Sequence, residues 1–183
     1  MGKILVQYYS ETGNTAKMAE LVARGAASVK GIEVRLKTVD ESTVSDLFWT
    51  DGIALGAPTH LASVPWKVKK FWDEAVDEAW MHIDGKFGCA FSSAGGLGGG
   101  SEITCTELLT IMMNYGMLVF GITDYVAPRN TLHYGAAIPG EPRTQAVKDI
   151  CERLGRRLGE WVSYYVDGVK ESHPEKATYS RRW

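Results

Sequence analysis

The hexapeptide Ser10-Glu11-Thr12-Gly13-Asn14-Thr15 follows a short apolar run and precedes a helical pattern. Three hydroxyls, a carboxamide and several backbone N–H groups therefore converge where a helix begins. A helix start of this kind binds a phosphate group through fixed dipoles and needs no lysine. An ordinary helix cap would use one such residue, whereas this stretch offers four and a glycine. Neither G-x-x-x-x-G-K-[ST] nor G-x-G-x-x-G occurs here, so the pattern is neither a Walker loop nor a dinucleotide fingerprint.

Two further stretches stand in comparable positions. Pro58-Thr59-His60-Leu61 follows the apolar run 52–56, and its histidine is read either as a ligand contact or as an ordinary exposed loop residue. Ser93-Ala94-Gly95-Gly96-Leu97-Gly98 follows the run 87–91. Glycines there let backbone N–H groups approach a planar ligand closely. A glycine-rich linker chosen for mobility alone is the plainer alternative, but it gives no reason for the position between strand and helix.

The elements that must position these loops are legible in the hydropathy pattern. Apolar runs at 4–6, 52–56, 87–91 and 117–120 are short and bounded by Gly, Ser or Pro, as expected of strands buried on both faces. The stretch 32–36 alternates and suits an edge strand. Helical periodicity covers 15–27, 65–78, 101–115 and 143–165, with a short turn of helix at 44–49. Strands alternating with helices predict a doubly wound parallel α/β domain over residues 1–166, followed by a loose polar tail at 167–183. In such domains ligands bind outside the carboxyl ends of the strands.

Composition excludes several classes. The 183 residues carry 20 Lys and Arg against 22 Asp and Glu, a net charge of −2, which is not the basic excess of a nucleic-acid protein. No run approaches the length of a membrane span, and the opening residues are too quickly polar for a secretory leader. Cys89, Cys105 and Cys151 are odd in number and far apart, with no C-x-x-C. They predict the free thiols of a cytoplasmic protein and give no support to a metal site.

The first loop resembles the [ST]-x-T-G-x-T phosphate loop of the flavodoxins. The second resembles G-[ST]-P-T-x-x-x-x-[MV] of the WrbA-like NAD(P)H:quinone oxidoreductases, which share that fold, and the third is similar to their S-T-G-T-x-x-G-G-x-E. Asn114-Tyr115-Gly116-Met117 parallels their H-H-G-M, and His133-Tyr134-Gly135-Ala136 their T-P-Y-G-A. The resemblance spans residues 3–165.

It implies a five-stranded parallel sheet of order 2-1-3-4-5 with helices on both faces. It also implies FMN, with the phosphate held by Ser10, Thr12, Asn14, Thr15 and the backbone through Glu11 and Gly13. Pro58, Thr59, His60 and Leu61 would line the ring, the third loop would bond its polar edge, and Asn114 would stand near it. Thr12, Trp80 and the His133 of a neighbouring subunit would contact the substrates. The implied activity is transfer of two electrons from NAD(P)H to a quinone, in a homodimer or homotetramer, with the flavin N5 carrying the chemistry. The alternative implication is a flavodoxin-like carrier docking on redox partner proteins.

Overall fold

The computed structural model describes residues 1–127 and 130–174. Three strands, β1 (Gly2–Tyr8), β3 (Gly52–Pro58) and β4 (Phe87–Ala94), form the centre of a parallel sheet, and nearly every residue in them is buried. The edge strand β2 (Ile32–Thr38) is half-buried along almost its whole length, as its alternating sequence predicts. Strand order is β2-β1-β3-β4-β5, the 2-1-3-4-5 arrangement.

The fifth position departs from the expected single strand. β5 is only Leu118–Val119 and pairs with Phe87 and Gly88 at the start of β4. The chain then leaves the sheet as an antiparallel pair, β6 (Ile122–Ala127) and β7 (Asn130–Leu132). It returns as β8 (Ala136–Pro139), which pairs with Phe91 to Ala94. Among the described residues the sheet therefore has six strands, two of them sharing the fifth lane.

Alternate residues of each central strand feed two cores. Ile4, Val6, Ala54 and Phe91 pack beneath α1 (Asn14–Ala27) and α6 (Gln145–Tyr165). Leu5, Ile53, Leu55 and Ala90 pack beneath α2 (Val44–Trp49), α3 (Trp66–Glu74), α4 (Val76–Ala79) and α5 (Ser101–Asn114). The helical pattern at 65–78 is thus two helices, broken at Ala75. α1 and α6 approach so closely that a Cβ at Gly25 would lie 2.0 Å from the Glu152 carbonyl oxygen, and one at Gly155 would lie 1.8 Å from that of Val22.

Residues just past the expected boundary at 166 contact the domain. Asp167 accepts the Gly2 N–H at 2.8 Å and pairs with the Met1 ammonium at 2.8 Å. His173 packs edge-on against Trp161 and Tyr164. Residues 167–174 are therefore fastened to the domain, and the rest of the predicted tail, 175–183, lies outside the described residues.

Candidate functional site

β1, β3, β4 and β8 all end at the same side of the sheet, so the loops that follow them share one rim. The first loop turns into α1 through Gly13, whose φ of +90° is open to glycine without strain. Among the described residues no side chain caps α1. Its first turn is instead left open: Lys17 N–H reaches the Gly13 carbonyl at 3.1 Å and Gly13 N–H reaches Ser10 Oγ at 3.2 Å. Among the described residues nothing accepts the N–H groups of Asn14, Thr15 or Ala16. Three adjacent unmet donors at a helix start form an anion cradle.

This cradle opens onto a polar cleft of about 470 Å³ lined by Thr12, Asn14, Gly95 and the segment after β8. Thr15 is not in the lining. Its side chain is fully buried and its hydroxyl lies 2.9 Å from that of Ser93. A second chain of hydroxyls ties the next loop to its neighbours: Thr104 donates to Thr59 at 2.9 Å, and Thr59 lies 3.3 Å from Ser92. Thr59 N–H also bonds the Ser93 carbonyl at 2.8 Å.

The loop after β3 closes in a tight hairpin in which His60 and Ser63 exchange both backbone hydrogen bonds. Leu61 and Ala62 occupy its tip at φ +49° and +66°. This conformation thrusts Leu61 wholly into solvent, and Leu97 in the glycine loop is 95% exposed. His60 Nε2 lies 3.4 Å from Glu11 Oε2, and its ring meets Tyr9 edge-on. Lys67 sits over the Tyr9 ring and is held by Asp40 at 2.9 Å, a bond that raises its pKa. A Cβ at Gly95 or Gly96 would meet nothing within 4 Å, so these glycines leave open space. The unmet donors of the cradle are of the chemical kind that holds a phosphate.

The remaining predicted site residues lie elsewhere. Asn114 ends α5, whose 14 residues place it about 20 Å from the glycine loop that starts the helix. Trp80 follows α4 and packs edge-on against Tyr115, toward the same distant end. His133 lies in the turn after β7, beside Gly121 and level with the middle of the sheet. Within one chain, Asn114 and Trp80 thus stand apart from the loops expected to hold the flavin. Conversely, the wall formed by Pro139, Gly140, Glu141 and Arg143 was not anticipated. Its signal was the apolar run 136–139 ending in a glycine, which reads as a strand and its loop once the fifth lane is known to be split.

A 2-1-3-4-5 parallel sheet with an anion cradle at its switch point, where β1 and β3 diverge, defines a mononucleotide-type α/β protein, and flavodoxins are themselves the type example of that rule. Residues 6–107, more than half of the chain, match the family model described as Flavodoxin. A flavodoxin of Aquifex aeolicus (strain VF5) is 58% identical over 171 residues, covering 93% of this chain and 92% of the relative. Among solved structures, a flavodoxin from the domain Archaea aligns with TM-score 0.70 at 28% identity, covering 88% of this chain and 99% of that one. A flavodoxin, WrbA-like protein from Agrobacterium tumefaciens aligns with TM-score 0.72 at 24% identity, covering 90% and 99%. The chain belongs to the flavodoxin family.

This corrects the expected activity. The relative that is 58% identical over nearly the whole chain is a flavodoxin and not an NAD(P)H:quinone oxidoreductase, and the WrbA-like likeness, at 24% identity, extends to the fold alone. The expected enzyme, with NAD(P)H as donor and a quinone as acceptor, is set aside.

Proposed function

We propose that this chain is an FMN-binding electron carrier that docks on redox partner proteins. The observation that carries the reading is the uncapped start of α1, with three adjacent N–H donors facing a polar cleft. Ser10, Thr12 and Asn14 surround the phosphate position, with Glu11 and Gly13 contributing backbone. Thr15 acts from behind by holding Ser93. Pro58, Thr59, His60 and Leu61 form one wall of the ring site, and Ala94, Gly95, Gly96, Leu97 and Gly98 form the other.

When bound, FMN supplies reversible acceptance and release of electrons. The chain's own residues bind and shield it. Leu61 and Leu97 would supply apolar contacts to it, and the hydroxyl chain Thr104–Thr59–Ser92 ties the loop after β3 to β4 and the start of α5. Backbone N–H groups of the glycine loop would donate to the polar edge of the ring and stabilise negative charge there.

Exposed Leu61, Trp66, Leu97 and Ile103 give this rim an apolar surface of the kind that contacts a protein partner. No helix among the described residues is long and apolar enough to cross a membrane. Three free, buried cysteines support a reducing, cytoplasmic setting.

The test is titration of apoprotein with FMN and with riboflavin, followed by flavin fluorescence. FMN is expected to bind one per chain and riboflavin far more weakly. Thr12→Asp places a carboxylate beside the phosphate and is expected to weaken FMN roughly 100-fold, about 3 kcal/mol. Equal affinity of the two flavins, or retention of FMN by the variant, would sink the assignment.

A further inference from the structure

The wall of the cleft contributed by the segment after β8 carries a compact ion triad. Lys17, one turn into α1, pairs with Glu141, and Arg143 Nε donates to the same carboxylate at 2.6 Å. These two bonds hold the Glu141 carboxyl down at about 2, so it stays ionised at every working pH. The segment is fixed in place, because Gly140 N–H bonds the Ala94 carbonyl at 2.7 Å at the end of β4. All three charged side chains line the same cleft as Thr12, Asn14 and Gly95. Glu141 is the one carboxylate in that lining among the described residues.

Two cations and one anion leave a surplus of one positive charge beside the anion cradle. Lys17 and Arg143 are substantially exposed at their tips, so each keeps the freedom to swing from Glu141 to a new partner. We infer that Lys17 and Arg143 are specificity-determining residues for a phosphomonoester dianion in this cleft, and that Glu141 parks them when the cleft is empty. The inference rests on the FMN reading above. It adds a charge-based source of selectivity to the neutral donors of the phosphate loop. The parked arrangement explains how two cations lie beside a polar cleft without repelling one another. Binding exchanges one ion pair for another, so the gain is modest and sensitive to salt.

The experiment measures dissociation constants of FMN and riboflavin for the wild-type apoprotein, Lys17→Gln/Arg143→Gln and Glu141→Gln. Measurements are made at about 10 mM and about 1 M salt, where the screening length falls from about 30 Å to about 3 Å. The double variant is expected to weaken FMN about tenfold at low salt, the product of two exposed charges worth about threefold each. It should leave riboflavin unchanged, and its deficit should vanish at high salt. Glu141→Gln frees both cations and is expected to tighten FMN about fivefold at low salt. FMN binding by the double variant at wild-type strength, or equal weakening of FMN and riboflavin, would overturn the inference while leaving the FMN reading intact. Failure of the wild-type protein to bind either flavin would overturn the FMN reading, and the inference with it, before any variant is compared.

Discussion

The hydroxyl of Thr15, in the first turn of α1, lies 2.9 Å from that of Ser93 near the end of β4, and both side chains are almost wholly buried. This bond joins the phosphate loop to the strand that launches the glycine loop. It spans 78 residues of sequence and sits directly behind the anion cradle. The two walls of the cleft therefore share a buried fastening that neither loop supplies alone.

Thr15→Val is expected to cost about 1–2 kcal/mol, because it leaves the Ser93 hydroxyl buried without its partner. Thr15→Val combined with Ser93→Ala should cost less than the sum of the single changes. Urea denaturation of the four proteins in the cycle measures this. Strict additivity would show that the two hydroxyls do not act together.

Gly155→Ala should destabilise the fold by about 3 kcal/mol, at the upper end for overpacking, because the new methyl meets backbone that cannot rotate away. The control is Gly140→Ala, whose Cβ meets nothing within 4 Å but whose φ of +65° carries a smaller penalty of about 1 kcal/mol. A thermal shift for Gly155→Ala no larger than the control's would refute the close helix contact.

Ala62→Gly should be neutral or slightly stabilising. A residue at φ +66° pays about 1 kcal/mol as alanine, which offsets the usual loss of about 1 kcal/mol for introducing glycine. Ala23→Gly, inside α1, should instead cost the full amount of about 1 kcal/mol. Parallel melting curves of the two variants decide the point.

Asp46 governs a pH dependence. Burial pushes its carboxyl up, but the Lys37 ammonium at 2.8 Å and the N–H and hydroxyl of Thr43 outweigh this and hold it below its usual value. A carboxyl depressed in the folded state stabilises the protein above its unfolded pKa of about 3.9 and loses that contribution as pH falls through the folded value. Wild type should therefore lose stability below about pH 4, and Asp46→Asn should lose less over the same range. The variant should also be about 2 kcal/mol weaker at pH 7, where the capping of α2 and the pairing with Lys37 are lost. Denaturant midpoints from pH 7 to pH 3 measure both effects, and parallel curves would remove Asp46 from the account.

Much of the architecture follows from local chemistry. The runs at Ile4, Ile53 and Cys89 are apolar on both faces, so they had to be central parallel strands, and the loop Ser10 to Thr15 had to lie at the start of a helix. The anion cradle is legible for the same reason: adjacency in sequence guarantees adjacency of N–H groups at a helix start. The branch of the fold family was not legible in this way, because loops that line the same kind of cleft occur in carriers and enzymes alike.

Other features needed the tertiary structure. The split fifth strand depends on pairing with β4, and two or four residues of pattern cannot announce a partner 31 or 45 residues away. The wall of Glu141 and Arg143 enters the cleft only because β8 ends level with β4. Asn114 and Trp80 left the site because helix length, not motif similarity, sets how far a residue lies from the strand ends. Local sequence chose the elements and one loop's chemistry; long-range pairing decided which other side chains reach that loop.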